Sequence, residues 1–255
     1  MKGLESKIVI VTGAGGAIGR AISARFAEQG SVVGVFDKNQ KGAADTVELI
    51  TRAGGRAHPV TCDLTDYQAV DRRVAEFESR AGPIDVLVNC AGWDRLQRFL
   101  DSEPALWDQL IAINLRGVLN TSRVVLGGMA ERGRGRVVNI ASDAGRVGSS
   151  GEAVYAACKG GVIAFTKAIA REMAGHQITV NAVCPGPTDT PLFHAFLDEG
   201  EYGKKIHAGL ARAVPLRRIG KPDDVAGIVV FLASDEASYM TGQVVSVSGG
   251  LTMHG

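Results

Sequence analysis

Short apolar runs alternate along the chain with longer amphipathic stretches, and this rhythm constrains the fold more than any other feature. Strand-like runs fall at 7–12, 31–36, 56–61, 86–89, 136–141, 178–184 and 244–247. Helical periodicity falls between them at 17–29, 40–53, 66–81, 103–129 and 154–174. The strands are continuous apolar runs rather than alternating ones, as expected when helices cover both sheet faces. Strand–helix alternation of this kind predicts an α/β fold: one Rossmann-like domain over residues 1–255, with a doubly wound, seven-stranded parallel sheet. Gly54-Gly55 and Gly82-Pro83 close two of the helices. The exception to the rhythm is 187–219, rich in Pro, Thr and charge; an irregular segment this long reads as a substrate lid.

Composition excludes several functions. The net charge of +1 gives no field to attract nucleic acid. The four cysteines, Cys62, Cys90, Cys158 and Cys184, are scattered and form no metal-ligand pattern, so no metal is expected. Unpaired cysteines suit a reducing compartment. The opening Met1-Lys2-Gly3-Leu4-Glu5-Ser6 leaves no room for a signal peptide before the first strand, and no apolar run of membrane-helix length stands out. The expectation is a cytoplasmic protein that binds neither membrane nor nucleic acid.

The first strand runs into Thr12-Gly13-Ala14-Gly15-Gly16-Ala17-Ile18-Gly19. A glycine-rich turn opening a helix lets backbone N–H groups approach a pyrophosphate, whose charge the helix N-terminus favours. The usual GxGxxG spacing is not met, because Ile18 stands at the third glycine. Asp37 ends the second strand, where a carboxylate can accept from both ribose hydroxyls of NAD and would repel the 2′-phosphate of NADP. It could also be an ordinary turn aspartate, and Arg20 and Lys38 are nearby cations that could meet a phosphate. Asp63 and Leu64 follow strand three; Asn89, Ala91 and Gly92 follow strand four.

Further along, Ser142 ends a strand, Asn114 lies within the long helix before it, and Tyr155 and Lys159 are four residues apart on one helix face. A free tyrosine has a pKa near 10. Lowering it by about 3 units takes roughly 4 kcal/mol, which one cation at about 4 Å in a dielectric near 20 could supply. Lys159 would thus make Tyr155 a general acid/base, with Ser142 donating to the substrate oxygen.

In their order and spacing, the glycine turn, Asp37, Asn89-Cys90-Ala91-Gly92, Asn114, Ser142, Tyr155-Ala156-Ala157-Cys158-Lys159 and Pro185-Gly186 resemble the short-chain dehydrogenase/reductase family over nearly the whole chain. Ala17 and Cys90 depart from its TGxxxGxG and NNAG patterns. The resemblance implies cofactor contacts from Gly13, Gly16, Ala17, Ile18, Gly19, Asp37, Asp63, Leu64, Asn89, Ala91 and Gly92. It adds Tyr155, Lys159, Pro185, Gly186, Thr188 and Thr190 at the nicotinamide end. It also implies that Lys159 holds the nicotinamide ribose, that Asn114 holds a water linking Lys159 to solvent, and that the chain forms a homotetramer. The small residues Ala156, Gly160, Ala164 and Ala168 could form a dimer seam or pack within the chain.

Stretches around Trp93-Asp94, 141–152, 184–191 and 246–253 are similar to family members that oxidise a cyclic β-hydroxyacyl-CoA. This implies NAD as cofactor and oxidation of 2-hydroxycyclohexanecarboxyl-CoA to the 2-keto thioester, in alicyclic acid degradation. Trp93, Asp94, Asp143 and Arg146 are candidate substrate contacts, and would read the same as loop residues satisfying backbone groups. The lid mixes Phe193, Phe196, Leu197 and Leu210 with His194, Lys204, Lys205, Arg212, Arg217 and Arg218; apolar walls with a basic rim would suit a CoA thioester, and a solvated amphipathic helix would read the same. Alternatives are a 3-oxoacyl-ACP or acetoacetyl-CoA reductase using NADPH, a sugar or polyol dehydrogenase, and a dinucleotide-binding regulator without turnover. The intact Ser142, Tyr155 and Lys159 set argues against the last.

Overall fold

A computed structural model describes residues 1–195, 201, 205, 209–210 and 212–253. Seven strands form one all-parallel sheet: β1 (Ile8–Thr12), β2 (Val32–Asp37), β3 (Arg56–Thr61), β4 (Val86–Asn89), β5 (Gly135–Ile140), β6 (Ile178–Pro185) and β7 (Val244–Val247). Their spatial order is β3-β2-β1-β4-β5-β6-β7. The order reverses between β1 and β4, and a cleft opens there beyond the strand ends, where doubly wound sheets bind ligands. The alternation of apolar runs predicts this sheet, and the observed strands fall within one or two residues of the predicted ones. β3 differs in kind: it is largely exposed and carries Pro59, which an edge strand tolerates because its free side needs no donor.

Helices α1 (Ala17–Glu28), α2 (Gln40–Arg52) and α9 (Pro222–Ala233) cover one face. Ile22, Phe26, Ile50, Val225, Val229 and Leu232 pack there on Val9, Val11, Val33 and Val35. Helices α3 (Tyr67–Ala81), α5 (Gly117–Arg132) and α7 (Ala153–Met173) cover the other, through Val70, Phe77, Val125, Met129 and Ala170. Fully burying a side chain such as Phe26 stabilises by about 1.5–3 kcal/mol, and both layers bury such side chains against the sheet.

The rhythm of apolar runs assigns no element between the lid and β7, yet α9 stands there. Its apolar run reads as a strand, but Pro222 at the first helical position and Asp223 and Asp224 in the first turn are helix-start signals. Asp224 accepts from the Lys221 N–H at 2.7 Å. The single helix predicted at 103–129 is divided: α4 (Pro104–Ile111), a π-helical turn at Ala112–Arg116, then α5. Helix α7 with its final turn, Ala153–His176, is long and apolar enough to cross a membrane by length and composition, correcting the expectation that no such run exists. Its inner face, Cys158, Lys159, Val162, Thr166 and Ala170, is buried, but only 28% of the apolar stretch is, so the core accounts for part of its apolarity. Short helices α6 (Ala144–Val147) and α8 (Pro191–Ala195) border the cleft. Of the lid residues, Phe196, Leu197 and Lys204 lie outside the described residues.

Candidate active site

The cleft has a volume of ≈ 930 Å³, the size of a site for a cofactor and small substrate. At its β1 end, Gly13 adopts φ +64, and a Cβ there would come within 2.6 Å of the Ala91 Cα. Gly19 packs equally closely: its Cβ would lie 2.3 Å from the Gly13 carbonyl. These two glycines pin the turn against β4 and α1 against the turn. Gly16 caps α1 without a side-chain bond; Gly16, Ala17 and Ile18 line the cleft, so first-turn N–H groups remain for an anion. The only atom within 4 Å of a Cβ on Gly16 would be the Gly13 carbonyl oxygen, at 3.3 Å. An open turn with spare donors fits the pyrophosphate of a dinucleotide.

Asp37 stands beside this turn. Its carboxylate accepts from the Gly15 N–H at 2.9 Å and the Asn39 N–H at 2.8 Å, and lines the cleft. Each oxygen keeps a lone pair for a ribose hydroxyl. Arg20 is committed elsewhere: it donates to Thr46 Oγ1 at 3.1 Å and the Gly15 carbonyl at 3.2 Å. Lys38 is exposed at the rim. Asp63 and Leu64 line the adenine end, with the Asp63 carboxyl held below its usual range by hydrogen bonds from Thr65. Ala91 and Gly92 line the floor.

Asn89 does not reach the cleft. It is buried, donates to Asn139 Oδ1 at 2.8 Å and Ser122 Oγ at 3.1 Å, and accepts from Thr121 at 2.6 Å. Its role is to tie β4 to β5 and α5. Strand periodicity could not distinguish this network from a ligand contact, because both put a polar side chain at a strand end.

Tyr155 and Lys159 project from α7, and Ser142 from the end of β5, into the same part of the cleft. Ser142 Oγ accepts from the Ala144 N–H at 3.1 Å, and its hydroxyl is hydrogen-bonded to Tyr155. Lys159 Nζ donates to the Ile140 carbonyl at 2.9 Å and lies 5.6 Å from the centre of the Tyr155 ring. The expectation that Lys159 lowers the Tyr155 pKa does not hold for the protein alone. Burial, then the carboxylates of Asp94 and Glu152, push the phenol up, against a smaller lowering by Ser142. Burial also pushes the Lys159 ammonium down. A simple pair estimate omits both the cost of desolvating a phenolate and the two acids beside it.

Asn114 sits in the π-helical turn, fully buried. Its amide donates to the Trp93 carbonyl at 2.7 Å and the Leu110 carbonyl at 3.0 Å, and its Oδ1 accepts from the Trp93 N–H at 3.2 Å. Its side chain therefore holds the loop after β4, and its Oδ1 keeps a second lone pair. A Cβ on Gly92 would lie 3.1 Å from Asn114 Oδ1 and 3.3 Å from Lys159 Nζ, so Gly92 leaves the space where the two approach.

Pro185, Gly186, Thr188 and Thr190 line the far wall. Thr188 Oγ1 donates to the Gly186 carbonyl at 2.9 Å, and Thr190 Oγ1 accepts from the Phe193 N–H at 3.1 Å. Of the candidate substrate contacts, Trp93 and Asp143 line the cleft; Asp94 and Arg146 do not. Arg146 instead braces β7, donating to the Val244 carbonyl at 3.2 Å and Ser246 Oγ at 2.9 Å. Asp143 accepts from Ser246 at 2.5 Å. Leu192, Phe193 and Leu210 form an apolar wall, and Phe193 packs with Leu96, Leu210 and Ile219. Arg218, one of the basic lid residues, is paired with Asp224 at 2.5 Å and 2.9 Å. Glu152 also lines the cleft, a site residue that the sequence analysis passes over. Its cue was its position three residues before Tyr155, at the N-cap of the same helix.

Within the proposed seam, Gly160 faces inward: a Cβ on Gly145 of α6 would lie 2.7 Å from the Gly160 nitrogen. Ala164 and Ala168 are exposed. Among the described residues, no group of three His, Cys, Asp or Glu side chains could hold a metal ion.

Residues 13–252 match the family described as enoyl-(acyl carrier protein) reductase. An acetoacetyl-CoA reductase of Allochromatium vinosum is 39% identical over 98% of this chain and 100% of its own length. The crystal structure of a 3-oxoacyl-[acyl-carrier protein] reductase with bound NAD from Brucella melitensis superposes with a TM-score of 0.89 at 35% identity, covering 98% of this chain and 92% of that one. A variant of actinorhodin polyketide ketoreductase with NADPH superposes with a TM-score of 0.93 at 36% identity, over 100% of both chains. The chain belongs to the short-chain dehydrogenase/reductase family, oxidoreductases that work with a nicotinamide dinucleotide.

Proposed function

We propose that the protein is an NAD-dependent dehydrogenase that oxidises the ring hydroxyl of a cyclic β-hydroxyacyl-CoA, 2-hydroxycyclohexanecarboxyl-CoA, to the 2-keto thioester. The observation that carries the cofactor choice is Asp37: its two oxygens are oriented by Gly15 and Asn39 beside the phosphate turn, while Arg20 is tied down. The substrate choice is supported by the similarity of Trp93-Asp94, 141–152 and 184–191 to cyclic acyl-CoA dehydrogenases, and by the apolar wall of Leu192, Phe193 and Leu210. The relatives named for acetoacetyl-CoA and 3-oxoacyl carriers support an acyl thioester.

First-turn N–H groups of α1 would hold the pyrophosphate, Asp37 the adenosine ribose, and Lys159 the nicotinamide ribose. When bound, the oxidised nicotinamide accepts the hydride that leaves the carbinol carbon. Ser142 donates a hydrogen bond to the substrate oxygen, and Tyr155 removes the hydroxyl proton. Lys159 supplies positive charge beside the resulting phenol–phenolate equilibrium. The apolar wall keeps water from the reacting carbon. The protein assembles as a homotetramer and works in the cytoplasm, in keeping with four free cysteines. Mass analysis of the product tests the reaction: with NAD and the ring alcohol, a thioester two hydrogens lighter should form. An unchanged thioester after prolonged incubation refutes the substrate.

A second reading, an acetoacetyl-CoA or 3-oxoacyl-ACP reductase running with NADPH, is favoured by one observation: burial and carboxylates keep Tyr155 protonated in the free protein, as a proton donor requires.

A further inference from the structure

Beside Tyr155, sharing Tyr155 and Glu152 with the main cleft, lies a small cavity of ≈ 10 Å³, about the room one water needs. Asp94, Glu152 and Tyr155 all border it, with Leu106, Trp107 and Leu110 of α4 closing the far side. Asp94 comes from the loop after β4, which is tied to the start of α7 by the Gln97 N–H donating to the Gly151 carbonyl at 2.8 Å. Glu152 precedes the first residue of that helix, and Tyr155 lies in its first turn. Two backbone segments thus bring two carboxyl groups and the phenol to one enclosed spot.

Asp94 is 5% exposed, and neither of its carboxyl oxygens has a side-chain donor; the Arg95 backbone gives its charged form only partial relief. A buried ionised carboxylate so thinly supplied with donors is costly. Its nearest remedy is Glu152, whose side chain is in hydrogen-bonding contact with it. Two ionised carboxylates repel and cannot hydrogen-bond; one proton between them supplies the missing donor and removes a charge. Burial first, then Glu152, pushes the Asp94 carboxyl up to about 8.

We propose that Asp94 and Glu152 share one proton in the space beside Tyr155, and that the charge of this pair governs when Tyr155 can part with its own. The charged and titratable groups facing Tyr155 are Asp94 and Cys90 from the loop after β4, Ser142 from β5, and Glu152 and Lys159 from α7. Cys90 is itself pushed up to about 12 by burial, so it stays a neutral thiol. The pair carries one negative charge while it keeps the shared proton and two once that proton is lost. Each charge makes a phenolate beside it harder to form. Asp94, which does not line the cleft, and Glu152, which does, are positioning residues that act through Tyr155. They make alcohol oxidation, which needs the phenolate, more demanding of high pH than ketone reduction, which needs the phenol.

The inference rests on Tyr155 being the acid/base of the proposed function, so it is tested by two readouts, one of which is independent of turnover. The first is the pH profile of kcat/KM for NAD-linked alcohol oxidation by wild type, Asp94→Asn and Glu152→Gln. Removing one neighbouring charge in an effective dielectric of about 20–40 should move the ascending limb down by roughly one pH unit. A limb within 0.3 unit of wild type in both variants overturns the proposal. The second is the pH dependence of thermal unfolding in the cofactor-free protein. A group whose folded pKa is raised stabilises fully below its unfolded pKa and loses that contribution as pH rises through the folded value. Wild type should therefore lose stability between about pH 4 and pH 8 relative to Asp94→Asn. Parallel melting curves across that window overturn the shared proton. If wild type loses stability relative to Asp94→Asn as predicted but Tyr155→Phe turns over as fast as wild type, the proton sharing stands and the catalytic reading of Tyr155 fails.

Discussion

Replacing Asp37 by alanine should invert the order of cofactor preference, or nearly so, without unfolding the protein. The carboxylate is held at the end of β2 by the Gly15 and Asn39 N–H groups, so its charge is fixed where a 2′-phosphate would sit. A phosphate of nearly two charges at about 5 Å is repelled by roughly 2 kcal/mol even in a water-like dielectric. Charge-assisted bonds to the ribose hydroxyls contribute about another 1.5 kcal/mol to NAD. Removing both effects should close the ratio of kcat/KM for NAD over NADP by about 3 kcal/mol, roughly two powers of ten. The Gly15 and Asn39 donors lie at the open rim and can turn to water, so the stability cost should stay near about 1 kcal/mol. The assay is initial-rate kinetics with each cofactor at fixed substrate, with a melting curve as control. A ratio that changes less than about threefold in a folded variant would show that another group reads the ribose.

Other outcomes follow from the same geometry. Tyr155→Phe should lower turnover by at least about a hundredfold while NAD binding, measured by fluorescence quenching of Trp93 and Trp107, stays within a few-fold; comparable turnover would remove Tyr155 from the chemistry. Because burial and the neighbouring carboxylates raise the Tyr155 phenol, and oxidation needs it ionised, kcat/KM for oxidation should climb steadily from about pH 6 to 9. Ketone reduction should be flat over the same range, and a flat oxidation profile would contradict the raised phenol. Thr121→Val should destabilise by about 1–3 kcal/mol, since it takes the 2.6 Å donor from buried Asn89; urea unfolding measures it. Gly19→Ala should cost about 1–3 kcal/mol through overpacking, because its Cβ would meet the Gly13 carbonyl at 2.3 Å.

Much of the fold was legible because apolar runs and glycine turns report it directly. Strands such as Val86–Asn89 and the turn Gly13–Gly19 carry their own punctuation. Helix α9 was missed because Ala226-Gly227-Ile228-Val229-Val230 reads as a buried strand, and only Pro222 and Asp223-Asp224 reveal a helix start. The π-helical turn around Asn114 leaves no trace in periodicity, nor do the bonds from the Asn114 amide to the Trp93 and Leu110 carbonyls. Spacing placed Tyr155 and Lys159 on one face, but it could not show their burial or that Asp94 and Glu152 converge on the phenol from separate segments. Asn89, at a strand end, and Arg146, in the short helix α6, brace neighbouring strands; in the sequence a polar residue at either place looks the same whether it meets a ligand or satisfies the backbone.

The account turns on NAD-linked oxidation of a ring alcohol, and the most direct measurement is NADH formation by purified protein. Rates with 2-hydroxycyclohexanecarboxyl-CoA and 3-hydroxybutyryl-CoA would be compared, each with NAD and with NADP. The account predicts a kcat/KM at least about tenfold higher for the ring thioester with NAD, a difference of roughly 1.4 kcal/mol in the barrier. Preference for the linear thioester with NADP would contradict it and favour the reductase reading.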